Sequence, residues 1–189
     1  MEVIETKFPG LLILKPRFFR DERGFFVETY NAKKFEQVNL NYTFVQDNHA
    51  FSKCKGVLRG LHFQRPPMDQ AKLVWVVKGR VYDVVLDLRK GSPTYGQVFG
   101  LELSSENGQQ MLIPRGFAHG YLVLEENTHF MYKVDNFYSA EHEGGIYFAD
   151  PALSIDWPMA KDKLILSEKD QKQPLFKEVD SPFEFKEGI

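Results

Sequence analysis

The chain has 189 residues, a formal net charge of -2, and 43% hydrophobic against 26% charged residues. This is the balance of a soluble, well-cored protein; it excludes a mainly disordered chain, and the lack of a Lys/Arg stripe argues against a nucleic-acid partner. No run approaches the about 18 apolar residues of a membrane span. The N-terminal MEVIETKFPG has no apolar leader and Cys54 is the only cysteine, so a cytoplasmic protein without disulfides is expected.

Aromatic residues make up 14% of the chain, 17 of them Phe, which suits pleated surfaces where large rings pack across strands. In chain order the strand-like runs are LLIL before Pro16, GFFVETY, YTFVQDNHAF, GVLRGLHFQ, KLVWVVKGRVYDVVLDLR, GQVFGLELS, QQMLIPRGFAHGYLVLE, HFMYKVDNFY and GIYFAD. Many short strands at fairly even spacing predict an all-β sandwich or barrel. Around Gly79 a turn separates two strands, the second placing Tyr82, Val84, Leu86 and Leu88 on one face and Val81, Asp83, Val85 and Asp87 on the other. Short helices are expected at NAKKFEQV, capped by Asn31, and at SEKDQK, where Ser167 stands three residues before Asp170. One domain over 1–189 is expected, with the barrel at about 45–150 and the segment 157–189 packed on its outside.

Two glycine-anchored patterns carry the chemistry. GQQMLIPRGFAHG, from Gly108 to Gly120, has the form G-x5-P-x-G-x2-H and resembles the second motif of the cupin superfamily. The first motif is only partly matched, since Gly56 leads to His62 but Gln64 replaces a second His. Lys72, seven residues before Gly79, stands where that motif places a metal-binding Glu. A transition metal needs several His or carboxylate donors converging on one point, and an ammonium among them repels the cation. No metal is therefore expected.

A His with a reference pKa of about 6.5 can take a proton near neutral pH. A neighbouring Lys can stabilise the enolate left when that proton comes from a carbon beside a ketone. Returning the proton on the opposite face inverts the carbon, and that step needs a weak acid, a role that suits a Tyr of reference pKa about 10.

The wider string GVLRGLHFQ, DLRKGSPTYG, IPRGFAHG, YKVDNFYS and DPALSIDWP, with RDERGFFVETY, FVQDNHAFS and LSEKD, resembles the dTDP-4-dehydrorhamnose 3,5-epimerase family along nearly the whole chain. The resemblance implies a cupin-type jelly-roll β-barrel with a few short peripheral helices. It also implies cofactor-independent inversion of C3 and C5 of dTDP-4-dehydro-6-deoxy-D-glucose, in dTDP-L-rhamnose biosynthesis, by a homodimer whose N-terminal strands pair with the partner. By the same resemblance His62 is the general base, Asp170 holds it, Tyr132 is the acid on the opposite face and Lys72 stabilises the enolate. Arg23, Glu28, Gln46, Asn48, Arg59, His119, Glu143 and Lys169 become substrate contacts, with Tyr138 stacking on the thymine. Guanidinium groups such as Arg23 and Arg59 suit a pyrophosphate, which binds a planar fork well.

Competing readings are a mono-epimerase acting at C3 or C5 of another deoxysugar nucleotide, and a non-catalytic cupin that binds a sugar nucleotide. A geometric condition applies to all of them. Arg59 and His62 have opposite parity, so a regular strand points them to opposite faces. If both line one cavity, the strand must be irregular at Gly60.

Overall fold

The structure, a computed structural model, describes residues 1–186; residues 187–189 at the end of the expected C-terminal segment lie outside the described residues. The β-branched and aromatic runs form the strands β1 (Glu2–Glu5), β2 (Leu12–Lys15), β3 (Phe18–Asp21), β4 (Gly24–Val27), β5 (Gln46–Ser52), β6 (Leu58–Gln64), β7 (Lys72–Lys78) and β8 (Arg80–Asp87). They continue as β9 (Arg89–Lys90), β10 (Val98–Ser104), β11 (Gln110–Ile113), β12 (Phe117–Val123), β13 (Thr128–Val134), β14 (Glu143–Gly145) and β15 (Phe183–Glu184). Two α-helices accompany them, α1 (Ala32–Glu36) and α2 (Glu168–Gln171). The all-β expectation holds, and both helices start where their caps were read: Asn31 accepts from Lys34 N–H, and Ser167 accepts from Asp170 N–H.

Six strands pair in the order β1-β2-β11-β7-β13-β5 and five in the order β10-β8-β12-β6-β14. The six-stranded sheet therefore takes in β1 and β2, outside the barrel limits expected from the sequence. Alternation along each strand sends one side chain inward and the next outward. Inward go Val74, Val76, Val81, Val85, Val123 and Phe130, which fill the space between the sheets with Phe8, Leu103 and Met111. Outward from the five-stranded sheet go Val84 and Leu86, buried with Leu88 beneath Leu153 and beneath Trp157 and Phe183 of the C-terminal segment. Outward from the other sheet go Leu73 and Trp75, covered by Phe35 of α1 with Tyr30 and Phe44. Each fully buried Leu or Val contributes about 1.5–3 kcal/mol relative to exposure. The outer faces are thus covered over these strands, while β5, with Asp47, His49 and Phe51 exposed, keeps one face open to solvent.

The turn read at Gly79 is present between β7 and β8, and it joins strands of different sheets. Gly79, at φ +84, is the corner where the chain changes sheet, and a Cβ there would meet Thr128 Oγ1 at 2.3 Å. The GIYFAD run is mostly not a strand. Glu143–Gly145 pairs with β6 and Ile146 exchanges backbone hydrogen bonds with Leu61, but the Tyr147 amide then donates to Pro174 C=O and the chain leaves the sheet.

β6 is the element that positions the site. Leu58 points to the outer face, where it packs with Phe148, yet so do Leu61 and Phe63, of the opposite parity. The phase of the strand slips between them, at Gly60. That residue has φ +106, the Gly60–Leu61 peptide is cis, and the pairing with β12 shifts register between His119 and Tyr121. A Cβ on Gly60 would lie 2.6 Å from His119 O and 2.7 Å from Gly120 Cα, backbone atoms that have nowhere to go. The irregularity expected from Arg59 and His62 is present.

Candidate active site

Because the phase slips at Gly60, Arg59 and His62 both face inward. On the neighbouring β12 the unbroken alternation places His119 and Tyr121 inward as well, with His119 opposite His62 and Tyr121 opposite Arg59. From the facing sheet, Lys72 heads β7 in phase with Val74 and Val76, and Tyr132 follows Phe130 at the same inward phase on β13. These side chains line a cavity of about 290 Å³. An adjoining lobe of about 150 Å³ shares His62, Lys72 and Tyr132 and adds Gln46, Asn48, Tyr138 and Glu143. The three shared residues stand at the junction, His62 on one sheet and Lys72 and Tyr132 on the other.

His62 Nε2 is 2.5 Å from Asp170 Oδ1, across 108 residues of sequence. A parallel bridge between Val57 and Ile165, in which the Ile165 amide donates to Gly56 C=O at 2.8 Å, lays the C-terminal segment along β6. Helix α2 then begins at its Ser167 cap and sets Asp170 beneath the imidazole. Ser167 Oγ also donates to Asp170 Oδ2 at 2.7 Å. Burial pulls the Asp170 carboxyl upward, but hydrogen bonds from His62, Ser167 and the Gly60 amide outweigh it and hold the group below the usual carboxylate range. An ionised Asp170 fixes the proton on Nε2, which leaves the lone pair on Nδ1 free to accept another.

A second His–Asp pair lies alongside. Asp83 is fully buried between Val81 and Val85, and His119 Nε2 reaches its two oxygens at 2.9 and 3.0 Å. Burial raises the Asp83 carboxyl even though His119 and Lys72 oppose the rise. Lys72 is pushed down to about 8 by burial, against the pull of Asp83 and Glu143. Burial raises the Tyr132 hydroxyl, with Arg59 opposing, so the phenol stays protonated at neutral pH.

At the mouth, Tyr138 Oη donates to Glu143 Oε2 at 2.9 Å, and Lys169 pairs with the same carboxylate. The Tyr138 ring is 56% exposed, free on its face for stacking. Gln46 Nε2 donates to Asn48 Oδ1 at 2.9 Å, while Gln64 is turned to accept from Ser139 N–H at 2.9 Å. Among the described residues no group of three or more His, Cys, Asp or Glu converges as metal ligands would.

Two of the residues read from the sequence are not brought to this cavity by their own chain. Arg23 sits on the β3–β4 hairpin, held to Asp21 at 2.5 Å. Glu28 is engaged by Lys34 and by Asn31 Nδ2 at 2.9 Å, and it lines a separate hollow with Arg17, Phe19 and Tyr30. Among the described residues the β3–β4 ribbon forms a sheet with no third strand, apart from the two sheets that frame the cavity. Conversely, sequence reasoning passed over Tyr121, read Ser167 only as a helix cap, and did not connect Asp83 with His119. The alternation of Phe117, His119 and Tyr121 was the available signal for the first.

The sequence matches the family model described as dTDP-4-dehydrorhamnose 3,5-epimerase over residues 5–178. The dTDP-4-dehydrorhamnose 3,5-epimerase of Salmonella typhimurium is 52% identical over 176 residues, 93% of this chain and 95% of that protein. The structure is similar to that of dTDP-6-deoxy-D-glucose-3,5-epimerase from Legionella pneumophila in complex with dTDP-4-keto-L-rhamnose, with a TM-score of 0.92 and 44% identity over 98% of each chain. A 3'-monoepimerase from Streptomyces bikiniensis in complex with dTDP-quinovose is more distant, at 29% identity and a TM-score of 0.83 over 90% of this chain and 85% of that one.

Proposed function

The chain belongs to the dTDP-4-dehydrorhamnose 3,5-epimerase family, with its cupin-type fold, and from that premise we propose how its cavity performs the reaction. The enzyme is an isomerase that inverts C3 and C5 of dTDP-4-dehydro-6-deoxy-D-glucose. His62, through Nδ1, removes the proton from the carbon beside the C4 ketone. The electron pair moves onto the ketone oxygen, where the Lys72 ammonium stabilises the enolate. Tyr132 delivers its hydroxyl proton to the same carbon from the opposite face; His62 then gives up the abstracted proton to solvent, the tyrosinate takes one back from solvent, and the cycle repeats at the second carbon. The observation that carries this reading is the placement of His62 and Tyr132 on facing sheets of one cavity with Lys72 between the lobes they share. No step in this scheme calls on a metal or cofactor.

Arg59 takes the pyrophosphate, the Tyr138 ring takes the thymine, and Gln46, Asn48, His119, Glu143 and Lys169 complete the contacts. Incubation in deuterated water tests the double inversion directly. Label is expected at both C3 and C5 of the product; label at one carbon alone assigns the chain to the mono-epimerases instead.

The active form is a homodimer. Phe19, Phe25 and Phe26 on the β3–β4 hairpin are 48%, 58% and 65% exposed, too much aromatic surface in one place for a free ribbon. Pairing with a second copy buries these rings and carries Arg23 and Glu28 to the partner's cavity, where they serve as the substrate contacts that the family resemblance implies. Sedimentation of the purified protein should give the dimer mass, and Phe25→Ser with Phe26→Ser should shift it toward monomer; a monomeric, fully active wild type excludes this arrangement. No helix among the described residues is long and apolar enough to cross a membrane. A cytoplasmic place fits the single exposed thiol, Cys54.

A further inference from the structure

Tyr121 is 5% exposed and lines the same cavity as His62 and Tyr132. Its ring stacks on Phe130 from the facing sheet, centroids 4.1 Å apart and planes at 18°, which leaves the ring little freedom to turn. Its hydroxyl has no hydrogen-bond partner among the described residues. Buried tyrosine hydroxyls are ordinarily paired, because the polar group has given up water. The groups felt at this hydroxyl are Arg59, Tyr132 and Asp83, all at the reaction cavity. Packing alone does not explain it, since a phenylalanine stacks on Phe130 equally well without burying an unpaired oxygen.

We infer that the Tyr121 hydroxyl is a substrate contact, donating a hydrogen bond to an oxygen of the hexose as it sits between His62 and Tyr132. The inference rests on the epimerase reading above and adds a residue to it. The hexose is the partner rather than the thymine, because Tyr121 lines the lobe that holds Asp170 and His119 beside His62 and not the one with Tyr138 and Glu143; the pyrophosphate taken by Arg59 is the competing partner, and the dTDP arm of the test decides between the two. Burial drives the hydroxyl far above the usual phenol range, so it keeps its proton and acts as a donor throughout. Held by the stack on Phe130, it orients the ring so that C3 and C5 present their hydrogens to His62.

The test is Tyr121→Phe, measured for melting temperature, for affinity toward dTDP and toward the unreactive dTDP-D-glucose, and for turnover. The variant should melt at the wild-type temperature or above it, since it loses no internal bond. It should bind dTDP as the wild type does, but bind dTDP-D-glucose about 2- to 10-fold more weakly, with KM raised to match. Equal affinity for dTDP-D-glucose, an equal loss for both ligands, or a lowered melting temperature with unchanged binding each overturns the inference. Failure of the wild type to convert dTDP-4-dehydro-6-deoxy-D-glucose would instead overturn the functional reading, and the binding comparison separates the two.

Discussion

His62→Asn is expected to lower kcat by about 10²- to 10⁴-fold, the usual contribution of a positioned general base. The substitution keeps a polar side chain of similar size, and the His62 side chain is 29% exposed, so no core packing is lost. Asparagine can still accept or donate toward Asp170 but cannot take a proton from carbon. Exchange of solvent deuterium into C3 and C5 should therefore fall with the rate of inversion, while affinity for dTDP stays at the wild-type value. Exchange at the wild-type rate in this variant would remove His62 from the mechanism.

Lys72→Met should cost about 10²- to 10³-fold in kcat, the range found when one donor to a developing oxyanion is removed. The methionine fills the space of the stem but offers no charge to the enolate. Because burial brings Lys72 down to about 8, its charge is itself pH-dependent in the working range. The amine is protonated below that value and neutral above it. Activity that needs the ammonium must then fall as pH rises through about 8, and this alkaline limb should vanish from the residual activity of Lys72→Met. An alkaline limb that persists unchanged in the variant belongs to another group, and retained wild-type kcat excludes Lys72 from enolate stabilisation.

The two His–Asp pairs show how differently the chain builds similar contacts. Asp83 and His119 lie on neighbouring strands of one sheet, and the pair follows from sheet order. Asp170 reaches His62 only because the C-terminal segment runs along β6 and the Ser167 cap stops it at the right height. Reading the sequence could name Ser167 as a cap and Asp170 as a candidate, since capping is a local matter of three residues. It could not supply the distance between Asp170 and His62. Likewise, parity required an irregularity at Gly60 if Arg59 and His62 were to share a cavity, but only the register with β12 shows how the strand accommodates it. The turn read at Gly79 is limited for a related reason: a turn glycine reports local backbone freedom and carries no information about which sheet the next strand joins.

By itself the sequence determined the β architecture, the two-faced alternation of β8, the two helix caps and the loss of the metal-binding pattern at Gln64 and Lys72. All of these rest on periodicity, side-chain charge or contacts within a few residues. Which strands became neighbours, the depth that brings Lys72 to about 8, the unpaired hydroxyl of Tyr121 and the separation of Arg23 and Glu28 from the cavity of their own chain were decided by tertiary structure alone. Burial and pairing between segments far apart in sequence are properties of the packed sheets, and no local pattern encodes them.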